Sequence, residues 1–314
     1  MAHLPALVAR ARDRWSLDVG GPFPSGSASW CAPVRRGPED LVLKISFPHD
    51  EARHEAAVLR AWHGHGAVRL VDADAGDWAL LLERVRPGTP MRAVRTPVAH
   101  RLTAAADVLR DLHAVAAPDQ APDQAPDQAP SQTTGEAPDA VPDLGSVTAG
   151  LADVLRDRAV RAARGGIRMD PALLRAALAV LDAGHAGSST RPVLLHGDLN
   201  PGNLLLLDAG ADDRRWCAID PKALRGEAAY DAGPLLEQVG APWRTPDPVR
   251  TLGARLDLVG DRAGLDPAAV AAWAAARAVE AAFWGWQHGL RAPALRRRLA
   301  AAGDWLRVRD AVTG

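Results

Sequence analysis

The stretch Val193–Leu207, VLLHGDLNPGNLLLL, followed by Trp216–Pro221, WCAIDP, decides how this chain is read. Its short apolar runs suit strands rather than helices, and they bracket a compact β and loop region. The chemistry-bearing residues lie between and after them. His196, Asp198 and Asn203 fall in the connecting loop, and Asp220 follows a second short strand, so two carboxylates and an amide can converge where strand ends meet. Magnesium is a hard ion that takes oxygen ligands and often shares its shell with nucleotide phosphates, so Asp220 and Asn203 are suitable ligands. Asp198 is then left to orient an attacking hydroxyl and accept its proton. Taken singly, each Asp or Asn is better explained by a turn in which it bonds its own backbone. The ordered set, flanked by apolar runs, points to metal and phosphate chemistry.

Working outward, the 314 residues carry 37 Lys and Arg against 38 Asp and Glu, a net charge of -1, and 47% hydrophobic residues. That balance gives no general electrostatic reason to bind nucleic acid or anionic lipid, and it excludes wholesale disorder and a membrane span. Only Cys31 and Cys217 are cysteines, too few for a disulfide framework or a zinc cluster, and no secretory leader is visible. A cytoplasmic protein is expected. Only Lys44 and Lys222 are lysines, so arginine is this chain's habit and each lysine needs an explanation by position.

Upstream, a helix over about Leu4–Trp15 precedes apolar or alternating runs at Ala28–Val34, Leu41–Phe47, Val68–Val71 and Trp78–Val85, with a helix over about Asp50–Trp62. These four runs are read as part of a five-stranded antiparallel sheet with one internal helix, an α+β lobe over residues 1–86. From residue 87 to 314 the pattern is mainly helical. It is interrupted at about 117–144 by a threefold APDQ repeat, read as a disordered surface insertion because it has too few apolar groups to offset its ordering entropy.

HGDLNPGNLLL followed by AIDP resembles the catalytic and metal loops of the aminoglycoside phosphotransferase family, a branch of the protein-kinase-like fold. KALRGEAAYDAGPLL, together with LLERV upstream, is most similar to the subgroup of streptomycin 6-kinases and hydroxyurea phosphotransferases. The resemblance spans roughly Leu4 to Leu306 apart from the repeat. It implies a bilobal fold, ATP and Mg2+ as cofactors, Asp198 as the catalytic aspartate, and Asn203 and Asp220 as magnesium ligands. It also implies that His196 supports the loop and that Asp231 braces it from behind.

Lys44, the one charge in the strand LVLKISF, can project into the interlobe cleft and neutralise phosphate. In kinase-like proteins such a lysine pairs with a glutamate of the next helix. Glu55 is the favoured partner and Glu51 the competitor. Small residues at Ser25, Gly26 and Ser27 can bring backbone amides near phosphates, or simply form a hairpin. In LLERV, the backbone groups of Glu83 and Val85 can pair with adenine. Lys222 is left open between a contact to phosphate or substrate and an ion pair with Glu227 or Asp231.

Only about twenty residues separate Asp220 from Pro242, with no activation loop to hold a protein substrate, so a small acceptor is expected. The late helix AAWAAARAVEAAFWGWQHG sets Trp273, Glu280, Trp284 and Gln287 near one face. Glu280 and Trp284 are the residues chosen for acceptor contact, although core packing is the competing explanation for the tryptophans. The resulting expectation is a monomeric, ATP-dependent small-molecule kinase acting on an aminoglycoside hydroxyl. A hydroxyurea or amino-sugar kinase, and a nucleotide-binding protein without turnover, are the alternatives.

Overall fold

The computed structural model describes residues 3–24, 29–116, 141–187, 191–207 and 215–314. Helix α1 (Leu4–Trp15) leads into β1 (Asp18–Val19), β2 (Ser29–Arg36) and β3 (Glu39–Ser46), followed by α2 (Asp50–Arg53), α3 (Glu55–Trp62), β4 (Leu70–Asp74) and β5 (Ala79–Glu83). The five strands form one antiparallel sheet in the order β1-β2-β3-β5-β4. Strand alternation divides β3 between two environments. Leu41, Leu43 and Ile45 pack with Ala11 and Trp15 of α1, while Lys44 and Ser46 emerge on the opposite face.

Three details differ from the sequence reading. The fifth strand, which none of the four apolar runs located, is β1 (Asp18–Val19), paired antiparallel with β2. The helix expected over Asp50–Trp62 is broken at His54, whose φ of -101° and ψ of 2° leave helical geometry, so Glu51 and Glu55 sit on separate helices. The strand expected at Val68–Val71 begins two residues later. The reason is tertiary: Val68 N–H donates to the Ala218 carbonyl at 2.9 Å and Ala67 bridges Ala218, so this segment ties the sheet region to the strand preceding Asp220.

The remainder comprises α4 (Val98–Ala114), α5 (Leu144–Arg164), α6 (Pro171–Ala183), β6 (Val193–Leu195), β7 (Leu204–Leu206), β8 (Trp216–Ala218) and β9 (Leu224–Gly226). It continues through α7 (Gly233–Gln238), α8 (Pro248–Ala263), α9 (Pro267–Gln287) and α10 (Ala292–Thr313). Asp170, Asp247 and Asp266 cap α6, α8 and α9, each followed by proline in the first turn, where its missing N–H costs nothing. Helix α9 is apolar around much of its circumference from Ala269 to Ala276 and is buried there, which makes it the axis of the helical region. The four short strands pair as β6–β9 and β7–β8 ribbons. Among the described residues, no helix is long and apolar enough to cross a membrane. The APDQ repeat and Ser25–Ser27 lie outside the described residues.

Candidate active site

The loop between β6 and β7 is held from behind by a buried carboxylate. Asp231 is fully buried and accepts hydrogen bonds from His196 N–H at 2.7 Å, Gly197 N–H at 2.8 Å and His113 Nε2 at 3.1 Å. Burial alone would raise its pKa, but the His113 bond and the donors at His196 outweigh it and hold the carboxyl below its usual range. From another side, Arg277 of α9 donates to the carbonyls of Gly197 at 3.1 Å and Tyr230 at 2.9 Å, its guanidinium lying 4.2 Å from the Tyr230 ring centroid. Gly197 has φ of 76°, and a Cβ there would collide with the Lys222 carbonyl, so only glycine fits.

His196 is completely buried and stacks on Trp62, with ring centroids 6.2 Å apart. Its Nδ1 accepts from Asp198 N–H at 3.3 Å, which leaves Nε2 as the donor to the Ile219 carbonyl at 3.0 Å. Burial depresses its pKa, so the ring is neutral and orients the loop. The Asp198 carboxylate receives Asn200 Nδ2 at 3.2 Å, and its carbonyl receives Asn203 Nδ2 at 2.9 Å. Asn200, absent from the sequence-based choices, also accepts from Gly202 N–H at 2.8 Å; the Asn-x-Gly spacing was its available signal.

Lys44 reaches this loop from the sheet. Its ammonium bonds both oxygens of Glu55, at 2.6 and 2.7 Å, and Oδ1 of Asp220 at 2.5 Å. Burial opposes its charge, but the two carboxylates prevail and raise its pKa. At Asp220, burial is likewise outweighed by Lys44, and the carboxyl is held below its usual range. The φ of 60° at Asp220, tolerated by aspartate, turns the side chain toward the cleft. Lys44, Glu55, Asp198 and Asp220 therefore line one cavity of about 250 Å³, together with Ser29 and Lys222.

Glu55, rather than Glu51, is the partner of Lys44. Glu51 meets Lys222 at 3.2 Å, and Asp198 Oδ2 lies 3.9 Å from the same ammonium. Neither partner considered for Lys222 from sequence is correct. Glu227 accepts from Trp273 Nε1 at 2.5 Å and Ala186 N–H at 2.6 Å, and Asp231 faces the rear of the loop, whereas Lys222 faces the cavity.

Oxygen donors suited to magnesium are present. Donation by Asn203 Nδ2 to the Asp198 carbonyl fixes that amide, and no described donor bonds its Oδ1. Among the described residues no group of three or more His, Cys, Asp and Glu gathers as a metal cage. One carboxylate and one amide oxygen fit a cation that shares its shell with phosphate.

Other sequence choices lie outside this cavity. Glu83 N–H donates to the Arg69 carbonyl at 3.0 Å, and its side chain accepts from Arg69 N–H at 2.8 Å. The backbone groups of Val85 make no hydrogen bond among the described residues. On α9, the expected wall divides: Trp273 is fully buried, whereas Trp284 is 51% exposed and stacks on His288 at 4.2 Å. Glu280 is bonded to Arg158 at 2.6 Å, and Gln287 accepts from the same guanidinium at 2.6 Å. Arg158, on α5, was not foreseen.

Comparison with known proteins agrees with this geometry. Residues 14–289 match the model of the aminoglycoside/hydroxyurea antibiotic resistance kinase family. The chain is 32% identical to streptomycin 6-kinase of Streptomyces glaucescens over 300 residues, 92% of this chain and 85% of that one. It is 33% identical to hydroxyurea phosphotransferase of Kitasatospora aureofaciens over 288 residues, 91% of this chain and 74% of that one. A thermostable mutant of aminoglycoside phosphotransferase APH(4)-Ia, in ternary complex with ADP and hygromycin B, superposes with a TM-score of 0.57 at 16% identity over 98% of both chains. A strand lysine paired with a helix glutamate above an HGDLNPGN loop, together with a family match across most of the length, places the chain in the aminoglycoside/hydroxyurea antibiotic resistance kinase family.

Proposed function

We propose that this protein transfers the γ-phosphate of ATP to a hydroxyl of an aminoglycoside of the streptomycin type, a reaction that inactivates the antibiotic. The observation that carries the reading is the single cavity shared by Lys44, Glu55, Asp198 and Asp220. Residues 1–86 would form the nucleotide lobe and 87–314 the catalytic and acceptor lobe of a cytoplasmic monomer. Lys44, fixed by Glu55, offsets charge on the α- and β-phosphates. Asn203 and Asp220 would hold Mg2+, which when bound neutralises phosphate charge. The carbonyl of Glu83 and the N–H of Val85 suit the adenine edge, and Ser25, Gly26 and Ser27 the phosphates.

Asp198 aligns the acceptor hydroxyl for in-line attack and takes its proton, so no covalent enzyme intermediate forms. Positioning and electrostatic stabilisation supply the acceleration. His196 and Asp231 act only by holding the loop. Trp284 and Glu280 extend along α9 from Arg277, which itself contacts the loop, and are suited to contact the acceptor.

One observation favours the second reading, a less cationic acceptor such as hydroxyurea or an amino sugar. The acid that α9 offers, Glu280, is already bonded to Arg158 and supplies little net negative charge to a polycation. ATP consumption measured against streptomycin, other aminoglycosides, amino sugars and hydroxyurea separates these readings. Asp198→Asn should retain nucleotide binding and lose at least about 100-fold in turnover, the usual scale of a positioned proton acceptor. Near-normal transfer by that variant, or no consumption with any acceptor, would reject the assignment.

A further inference from the structure

Lys222 has no role in the reaction as described so far, yet its half-exposed side chain lines the same cavity. Its backbone is locked to the catalytic loop: Lys222 N–H donates to the His196 carbonyl at 2.7 Å, and the Lys222 carbonyl lies against Gly197. The side chain therefore starts beside Asp198 whatever its tip does. The tip lies 3.2 Å from Glu51 Oε2 on α2 and 3.9 Å from Asp198 Oδ2, with the side chain 46% exposed.

The two lysines differ in what they have left to offer. An ammonium has three N–H groups. Those of Lys44 are matched by Glu55 Oε1, Glu55 Oε2 and Asp220 Oδ1, and the side chain is almost wholly buried. Lys222 holds one close ion pair, to a Glu51 carboxylate that is itself more than half exposed. Among the described residues lining the cavity there is no arginine, and His49 is turned to the Phe47 carbonyl through Nδ1 at 2.8 Å, so Lys222 is the lysine with donors to spare there.

The reaction creates a need for such a group. A γ-phosphate arriving beside Asp198 brings anionic oxygens close to a carboxylate, and like charges at about 4 Å repel by several kcal/mol at an effective dielectric near 20. Charge on the transferring group is spread over its three equatorial oxygens.

We propose that Lys222 is a catalytic residue that leaves Glu51 to bind the γ-phosphoryl oxygens, with Glu51 holding it in reserve until a triphosphate arrives. The inference rests on the phosphotransferase reading above. In the step itself, the bond from γ-phosphorus to its bridging oxygen breaks, ADP leaves with the electron pair, and the acceptor oxygen bonds phosphorus. The acceptor's proton passes to Asp198, while Lys222 keeps its protons throughout.

Calorimetric titration with Mg-ADP and Mg-AMP-PNP tests this without knowledge of the acceptor. Lys222→Ala should weaken AMP-PNP binding by about 10-fold and ADP binding by less than about 2-fold, the scale of one charge-assisted hydrogen bond. Lys222→Arg should recover most of the AMP-PNP affinity. Glu51→Gln should leave AMP-PNP binding unchanged or tighten it, because it releases the lysine. Equal losses for both nucleotides in Lys222→Ala, no loss for either, or weakening by Glu51→Gln as large as by Lys222→Ala, would overturn the proposal while leaving the kinase reading intact. A wild-type protein that binds neither nucleotide would remove both.

Discussion

Replacing Asp231 with asparagine tests whether the catalytic loop is held in place by one buried carboxylate. The side chain is isosteric and fully buried, so the change is electrostatic and not steric. Its two oxygens receive three donors: Gly197 N–H at one, His196 N–H and His113 Nε2 at the other. An asparagine offers a single acceptor atom, so in either amide orientation its NH2 faces at least one backbone N–H. His113 could swap tautomer, since its Nδ1 has no partner among the described residues, but a backbone N–H cannot.

The loss is at least one charge-assisted bond plus an unsatisfied buried donor, together about 2–4 kcal/mol. At roughly 2 °C per kcal/mol for a chain of this size, Tm should fall by about 4–8 °C. Because the folded-state pKa of Asp231 lies below its unfolded value of about 3.9, its contribution is full above that pH and is lost as pH falls through the folded value. The Tm deficit of the variant should therefore shrink below about pH 4. Thermal melts across pH and steady-state kinetics at neutral pH are the assays. Turnover should fall at least about 10-fold, since a 1 Å misplacement of the loop is costly even though Asp231 touches no substrate. A variant with unchanged Tm and turnover would refute the bracing role.

Two further perturbations follow from the same geometry. Gly197→Ala sets a side chain at φ of 76° and against the Lys222 carbonyl, and is expected to cost about 2–4 kcal/mol and to abolish turnover, read by denaturant unfolding and ATP consumption. Lys44→Met strands the buried Glu55 carboxylate, a loss of about 3–5 kcal/mol. Lys44→Met/Glu55→Gln should regain much of that stability without regaining nucleotide binding, and a double variant as unstable as the single one would contradict the pairing.

Local chemistry in the sequence was enough to identify the HGDLNPGN loop, the Asp220 strand end, and Lys44 as a charge placed in an apolar strand, because each depends on residues adjacent in the chain. It was also enough to direct Lys44, the one charge in an apolar strand, toward the interlobe cleft. Partnerships across long separations were another matter. Glu55 was favoured over Glu51 from the sequence, but the helix break at His54 that sets the two on separate helices, one at Lys44 and the other at Lys222, is concealed by the apolar spacing of Asp50–Trp62. Lys222 meets Glu51, more than a hundred residues away in the chain, because the sheet region is tied to β8 through Ala67 and Val68. His113, Arg277 and Arg158 have no local signature at all. Their polar groups become meaningful only once helices α4, α5 and α9 bring them to the loop or to Glu280, since the energy of a buried polar group depends on what surrounds it in space.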